Sequence, residues 1–264
     1  MNTSLSKQRL KFLSSLSQKK YRKINQQFLI EGVKICDEAL HSDFKIIEFY
    51  LISNYKYKDD VRRLSLKCAE KGIPVIEISE SDLKKISDTV QSQGVLALVC
   101  QPEFLVEDLN LSSDNLFIAG ERLADPGNLG TIIRTADWFG VDAVFLDKES
   151  ADWTSPKVLR STMGSVFHVP VLDQIDLKEL IPQLKSQGFS TFGASLGGNV
   201  IGPDFKRTGR KLLVVGNESH GLSAEISNEL DYLIKIKRFG AAESLNVAVA
   251  TGILLNEFCR HAGD

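Results

Sequence analysis

The chain has 264 residues, 43% hydrophobic and 25% charged, with a formal net charge of −2. This is the composition of a soluble globular protein with room for one or two domains. No run of 18 apolar residues offers a membrane span, and no charged segment leads into an apolar one as a secretory signal would. The four cysteines (Cys36, Cys68, Cys100, Cys259) are too scattered for a zinc site or a disulfide framework. The expectation is a reduced, cytoplasmic protein with no metal and no membrane anchor.

The charge is unevenly spread. Residues 1–30 hold Lys7, Arg9, Lys11, Lys19, Lys20, Arg22 and Lys23 and no acid, so removing those seven charges leaves −9 on the rest. A basic arm on an acidic body is either a polyanion contact or a solvated helix face. Its serine content adds the alternative of an organellar transit peptide.

In chain order, apolar residues at helical spacing run from Leu10 to Leu16 and from Ile24 to Leu40. Strand-like runs follow at Lys45–Ile52 and Ile73–Ile78, with a charged helix near Asp59–Lys71 between them and a further strand at Val95–Val99. The polar stretch EFLVEDLNLSSD then marks a linker, so the expected division is 1–101, 102–113 and 114–264. The second half restarts with strands at Leu116–Ala119, Ala143–Leu146, Val166–Val171, Thr191–Leu196, Leu212–Val215 and Tyr232–Ile236. Helices are expected over Asn128–Phe139, Leu177–Ser186 and Val247–Phe258. The last is apolar on more than one face, which predicts burial all round. Alternating strands and helices predict a mostly parallel sheet with helices on both faces.

In such a sheet, ligands bind beyond the carboxyl ends of the strands. Three loops there are rich in Gly, Asn, Glu, Arg and Ser: ERLADPGNLGTIIRTADWFG, GNESHGLS and KRFGAAESLNV. They contain no GxGxxG, no GxxxxGK[ST] and no GxSxG, so dinucleotide, P-loop and serine-hydrolase chemistry are unsupported. Ser244 and Asn246 open the last helix, where either can serve as an N-cap.

These segments resemble the three motifs of the SpoU family of RNA ribose methyltransferases, within the SPOUT superfamily. Motif one is matched by Asp125-Pro126-Gly127-Asn128-Leu129-Gly130 through Arg134-Thr135-Ala136, and motif two by Val215-Gly216-Asn217-Glu218 and Gly221-Leu222-Ser223. Motif three is matched by Ile236 and Ser244-Leu245-Asn246-Val247-Ala248. Met163–Val171 is similar to the family's link between the first two motifs. Tyr21–Lys23, Phe28–Gly32 and Gln93–Ala97 resemble the L30e-like substrate-binding domain that precedes the catalytic domain in many members. That likeness begins near Lys7, which argues against a transit peptide. The chain departs from the family pattern at Lys237 and Arg238, where Pro and an apolar residue are usual, and at Ser219, where Gly is usual.

The resemblance implies a trefoil-knotted sheet, a homodimer built through the knot and C-terminal helix, and methyl transfer from S-adenosylmethionine to a ribose 2′-hydroxyl. It implies a catalytic group of Arg134, Asn128, Glu218, Ser244 and Asn246. Arg134 would stabilise the developing alkoxide, Asn128 would orient it, and Glu218 would fix the motif-two loop or pair with Arg134. Gly216, Ile236 and Leu245, with Leu196, would line the cofactor pocket. Lys19, Lys20, Arg22 and Lys23 would meet RNA, with ribosomal RNA favoured over tRNA. The alternatives are a tRNA ribose methyltransferase, a base-nitrogen methyltransferase, or a non-catalytic RNA-binding or ribosome-assembly factor on the same scaffold.

Overall fold

The computed structural model describes residues 5–87, 89, 92–202 and 208–259. The first four residues of the basic arm lie outside that set. Two compact units emerge, Met1–Glu103 with Thr154–His168, and Phe104–Trp153 with Val169–Asp264.

The first unit begins with α1 (Lys7–Ser15), α2 (Lys19–Asn25), β1 (Gln27–Glu31) and α3 (Val33–His41). It continues with β2 (Ile46–Ile52), α4 (Asp59–Glu70), β3 (Val75–Ile78), α5 (Glu80–Ile86) and β4 (Val95–Cys100). Its sheet runs β1-β4-β2-β3, with β4 antiparallel to both neighbours and β2 parallel to β3. The helix expected over Ile24–Leu40 is interrupted. Gln26 takes a left-handed conformation (φ 49°) that ends α2, and β1 then alternates with Phe28 and Ile30 inward. A period of two, carried by only five residues, was hidden inside apparent helical spacing.

The second unit starts with β5 (Leu116–Gly120), α6 (Pro126–Trp138) and β6 (Ala143–Asp147). The chain then supplies α7 (Pro156–Thr162) to the first unit, where Phe167 meets the edge of Phe44 at 4.9 Å. This segment was expected to belong with the second half; its contacts lie with the first unit. The strand expected at Val166–Val171 is also corrected. Ser165–Phe167 forms a 3-10 turn, and β7 (Val171–Ile175) begins only after Pro170. The apolar run at Val166–Phe167 is buried as a turn, so hydrophobicity alone misassigned it.

The second unit closes with α8 (Leu177–Ser186), β8 (Ser190–Val200), β9 (Lys211–Val215), α9 (Ala224–Glu229), β10 (Tyr232–Lys235) and α10 (Val247–Cys259). All five strand pairings in the order β10-β8-β9-β5-β6-β7 are parallel. Strands β5 and β9 are buried at every position, as a sheet covered on both faces requires. Phe117 anchors one face, stacked on Phe189 at 4.8 Å and edge-on to Phe145 at 5.3 Å. Truncating such a ring costs about 3–5 kcal/mol.

After β9, in the sheet's interior, the chain forms β10 beyond β8 at the edge and returns through α10 to pack on α6. The helices approach closely at Gly252, where an added Cβ would sit 3.5 Å from Thr135 Cγ2. Helix α10 is not covered all round in the single chain. Ala248, Thr251, Leu254, Leu255 and Phe258 are buried, whereas Val249 and Ile253 are 52% and 38% exposed. No helix of the described residues is long and apolar enough to cross a membrane.

Candidate active site

The loop after β5 is set by capping. Asp125 Oδ1 accepts from Asn128 N at 2.8 Å, and Pro126 fills the first helical position of α6. The loop after β9 is set by Asn217. Its Oδ1 accepts from Ser219 N (2.9 Å) and His220 N (3.2 Å), and its backbone exchanges hydrogen bonds with Gly221. Its Nδ2 donates to Arg122 O at 2.9 Å, tying the second motif to the first. Ser219 has no positive φ, so a side chain in place of glycine costs this turn nothing.

That turn projects Glu218 towards α6. Glu218 Oε1 accepts from Asp125 N at 3.3 Å and from Asn128 Nδ2 at 3.1 Å. Asn128 Oδ1 in turn accepts from Asn246 Nδ2 at 2.8 Å. Asn246 Oδ1 caps α10 by accepting from Ala248 N (2.9 Å) and Val249 N (3.3 Å). The direction of the row follows from its ends. The helix amides can only donate to Asn246, so its NH2 faces Asn128, whose NH2 must face the carboxylate. Glu218, Asn128 and Asn246 thus join three motifs into one polar row.

Arg134 stands apart from this row. It is exposed on α6 and forms no hydrogen bond or ion pair among the described residues. The expected contacts of Asn128 and Glu218 with Arg134 are therefore replaced by a contact with each other. Short-range competition explains this: the Asp125 cap fixes Asn128 at the helix start, and Arg134 lies six residues further on. Ser244 and Leu245 lie exposed just before α10, and the Ser244 hydroxyl makes no hydrogen bond among the described residues.

Of the expected cofactor residues, Leu196, Gly216 and Ile236 lie in or just after β8, β9 and β10, and Leu245 lies just before α10. Gly193 pairs with Val214 of β9 and with Leu233 of β10. The next pair is Ile234 with Asn199, so Ala194–Gly198 loop out of the ladder with Leu196 73% exposed at their middle. An added Cβ at Gly198 would lie 2.5 Å from the Leu233 carbonyl carbon, so only glycine permits the rejoining. Gly216 follows β9, and a Cβ there would meet Gly221 C at 2.3 Å. Ile236 follows β10, half-buried, and Leu245 is 48% exposed. Apolar side chains and close-packed backbone are the features that a pocket for an adenosyl thioether group calls for.

Other residues hold the site and were not expected. Glu121, only 6% exposed, accepts from Ser223 N at 2.8 Å and pairs with Arg122 at 3.4 Å. Arg122 has φ 53° and receives its own support from Asp147 Oδ2, bonded to its N–H at 3.0 Å. The available signal was a Glu-Arg pair directly behind an apolar strand. A cleft of about 280 Å³, lined by Arg122, Asp147, Asp176, Lys178 and Glu225 among others, contains none of the expected cofactor residues.

In the first unit, Lys19, Lys20 and Lys23 are exposed as an RNA contact requires. Arg22 is not: it is 3% exposed and donates to Leu16 O (2.7 Å), Ser17 O (2.7 Å) and Thr154 Oγ1 (3.1 Å). Its guanidinium is a structural clamp, which removes it from the RNA-binding set.

Residues 115–256 match the SpoU rRNA Methylase family, and residues 7–97 match the MRM3-like substrate binding domain. The chain is 34% identical over 252 residues to the Bacillus subtilis 23S rRNA (guanosine(2553)-2′-O)-methyltransferase RlmP, covering 96% of each chain. It is similar to the AdoMet-bound rRNA methyltransferase of Sinorhizobium meliloti, with a TM-score of 0.86, 32% identity, and 99% and 97% of the two chains covered. It is also similar to the SpoU methyltransferase AviRb of Streptomyces viridochromogenes in complex with AdoMet, with a TM-score of 0.88, 25% identity, and 96% and 97% covered. With the motifs in order, their loops joined in one site and both halves matched, the chain belongs to the SpoU rRNA methylase family.

Proposed function

We propose that this chain methylates a ribose 2′-hydroxyl of ribosomal RNA, using S-adenosylmethionine. The observation that carries this reading is the Glu218–Asn128–Asn246 row, which ties three motif loops together, with Arg134 exposed six residues along α6 from Asn128. The named activity of RlmP, a guanosine 2′-O-methyltransferase of 23S rRNA, supports the choice of ribose and of ribosomal RNA.

Leu196, Gly216, Ile236 and Leu245 would hold the cofactor through apolar contact and backbone groups. When bound, S-adenosylmethionine supplies a methyl group on a sulfonium that departs as a neutral thioether. The hydroxyl is the harder partner, because its oxygen gains a bond to carbon while losing a proton. The guanidinium of Arg134 stabilises the growing negative charge, and the proton passes to solvent at this open site. Ser244, with its hydroxyl uncommitted, holds the ribose in line. The row from Glu218 to Asn246 keeps α6 and α10 in register while this happens.

The active form is a homodimer. Helices α6 and α10, which pack together, leave Trp138 85%, Val249 52% and Ile253 38% exposed. A second copy of the chain covers them. The C-terminal half is trefoil-knotted, a reading that the passage of β10 outside β8 and the return of α10 to α6 support. RNA is held by the first unit, with Lys19, Lys20 and Lys23 on its phosphates, and the protein acts in the cytoplasm.

The test is a 2′-O-methyl map of ribosomal and transfer RNA with and without the gene. One ribosomal site should vanish and return with the wild-type chain but not with Arg134→Ala. Restoration by Arg134→Ala would point instead to a non-catalytic assembly factor, and loss of a tRNA site would reassign the substrate.

A further inference from the structure

Between the cofactor edge and the start of α10 lies Lys237-Arg238-Phe239-Gly240, which the reaction scheme leaves without a role. Phe239 is 86% exposed, the most exposed large hydrophobic side chain among the described residues. Lys237 Nζ sits 5.0 Å from the centroid of its ring. Arg238, also exposed, reaches forward to Ala242 O at 3.5 Å.

The ring is not on a free tail. Lys235 of β10 is paired with Val200 of β8 on one side, and Asn246 is fixed to Asn128 on the other. Phe239 is therefore presented three residues from Ile236 and seven from Asn246, between the cofactor edge and the polar row. An open aromatic face flanked by two cations is poorly matched to an apolar partner, which would have to desolvate both charges. It is well matched to an unpaired nucleobase, whose π-face stacks on an aromatic ring while its flanking phosphates meet lysine and arginine.

We propose that Phe239 is the stacking platform for an unpaired nucleobase at or next to the target ribose, with Lys237 and Arg238 on the adjoining phosphates. This rests on the reading of the chain as an RNA methyltransferase and adds how the nucleotide is presented. Stacking would hold the base out of its helix, leaving the 2′-oxygen steady in front of the methyl group. It would accept any base, so selection of the site would come from contacts elsewhere.

The experiment uses the full chain and a short single-stranded RNA carrying 2-aminopurine at its centre. Wild type and Phe239→Trp should quench the fluorophore and bind alike. Phe239→Ala should lose the quenching and bind on the order of 10–100-fold more weakly. Lys237→Ala and Arg238→Ala should each reduce the slope of log affinity against log salt by about one contact, with quenching retained. Equal affinity and quenching in Phe239→Ala would overturn the proposal. So would conversion of that variant from dimer to monomer in light scattering, because the ring would then cover a second copy of the chain. The readout needs no methyl transfer. A wild-type chain that binds and quenches but never methylates would sink the catalytic reading alone, and full methylation by Phe239→Ala would sink only this one.

Discussion

Asn246 uses both ends of one amide: its Oδ1 caps α10 on Ala248 N at 2.9 Å, and its Nδ2 holds Asn128 Oδ1 at 2.8 Å. Substitutions can separate the two duties. Asn246→Ser keeps an oxygen that can cap, so thermal stability should change little. The shorter side chain cannot reach Asn128, and methyl transfer should fall on the order of 100-fold through misalignment. Asn246→Ala should lose both, with about 1 kcal/mol less stability. Full activity in Asn246→Ser, measured by single-turnover transfer, would show that the cap alone matters.

Arg134→Ala should abolish transfer while S-adenosylmethionine binds as before, because no contact ties Arg134 to the residues of the cofactor edge. Arg134→Lys should rescue poorly, since an ammonium lacks the planar fork. Calorimetry of cofactor binding beside single-turnover rates separates the two effects.

Arg22→Ala should destabilise the first unit by about 3 kcal/mol, because it strips charged donors from the buried Leu16 carbonyl and the part-buried Ser17 carbonyl. The salt dependence of RNA binding should not change. Lys19→Ala, Lys20→Ala and Lys23→Ala should do the reverse, leaving stability intact and lowering the salt slope by about one each. Denaturant unfolding and filter binding over a salt series would test both halves.

Val249→Asp or Ile253→Asp should turn the proposed homodimer into a monomer in sedimentation experiments. Each places a charge on the exposed apolar face of α10 while leaving the buried face intact.

Asp231 ties the start of β8 to the start of β10. Its carboxylate accepts from Thr191 N at 2.9 Å and Thr191 Oγ1 at 2.8 Å, and pairs with Lys185 at 2.8 Å. Burial pushes its pKa up, and the bonds from Lys185 and Thr191 more than reverse this, leaving it below the ordinary 3.8. A depressed carboxyl stabilises the fold above 3.8 and loses that contribution as the pH falls through its folded value. Asp231→Ala should therefore cost about 1–3 kcal/mol at neutral pH. Urea titrations should show the electrostatic part of this gap closing in acid.

What could be read in the sequence and what could not have distinct physical causes. Strands β5, β6 and β9 were legible because burial on both faces leaves nearly unbroken apolar runs. The motif loops were legible because glycine and capping residues punctuate them. Strand β1 was not, since QFLIE is short and its inward residues, Phe28 and Ile30, fall at helical spacing from Ile24 and Val33 on either side. Arg22 read as a surface cation because its partners are carbonyl oxygens, which have no signature in a sequence. The Glu218–Asn128 contact spans 90 positions, and nothing in the spacing of either motif announces it. The grouping of Thr154–His168 with the first unit was hidden for the same reason.

The order in which the chain leaves the ribosome follows from the path of α10. Asn128 emerges early, Glu218 some 90 residues later, and Asn246 after a further 28. Until Asn246 arrives, Asn128 Oδ1 has no donor and the outer strand β10 has only just found β8. No shorter nascent chain holds the full polar row. The site is finished only when Asn246 has been made, so a chain ended before that residue is silent.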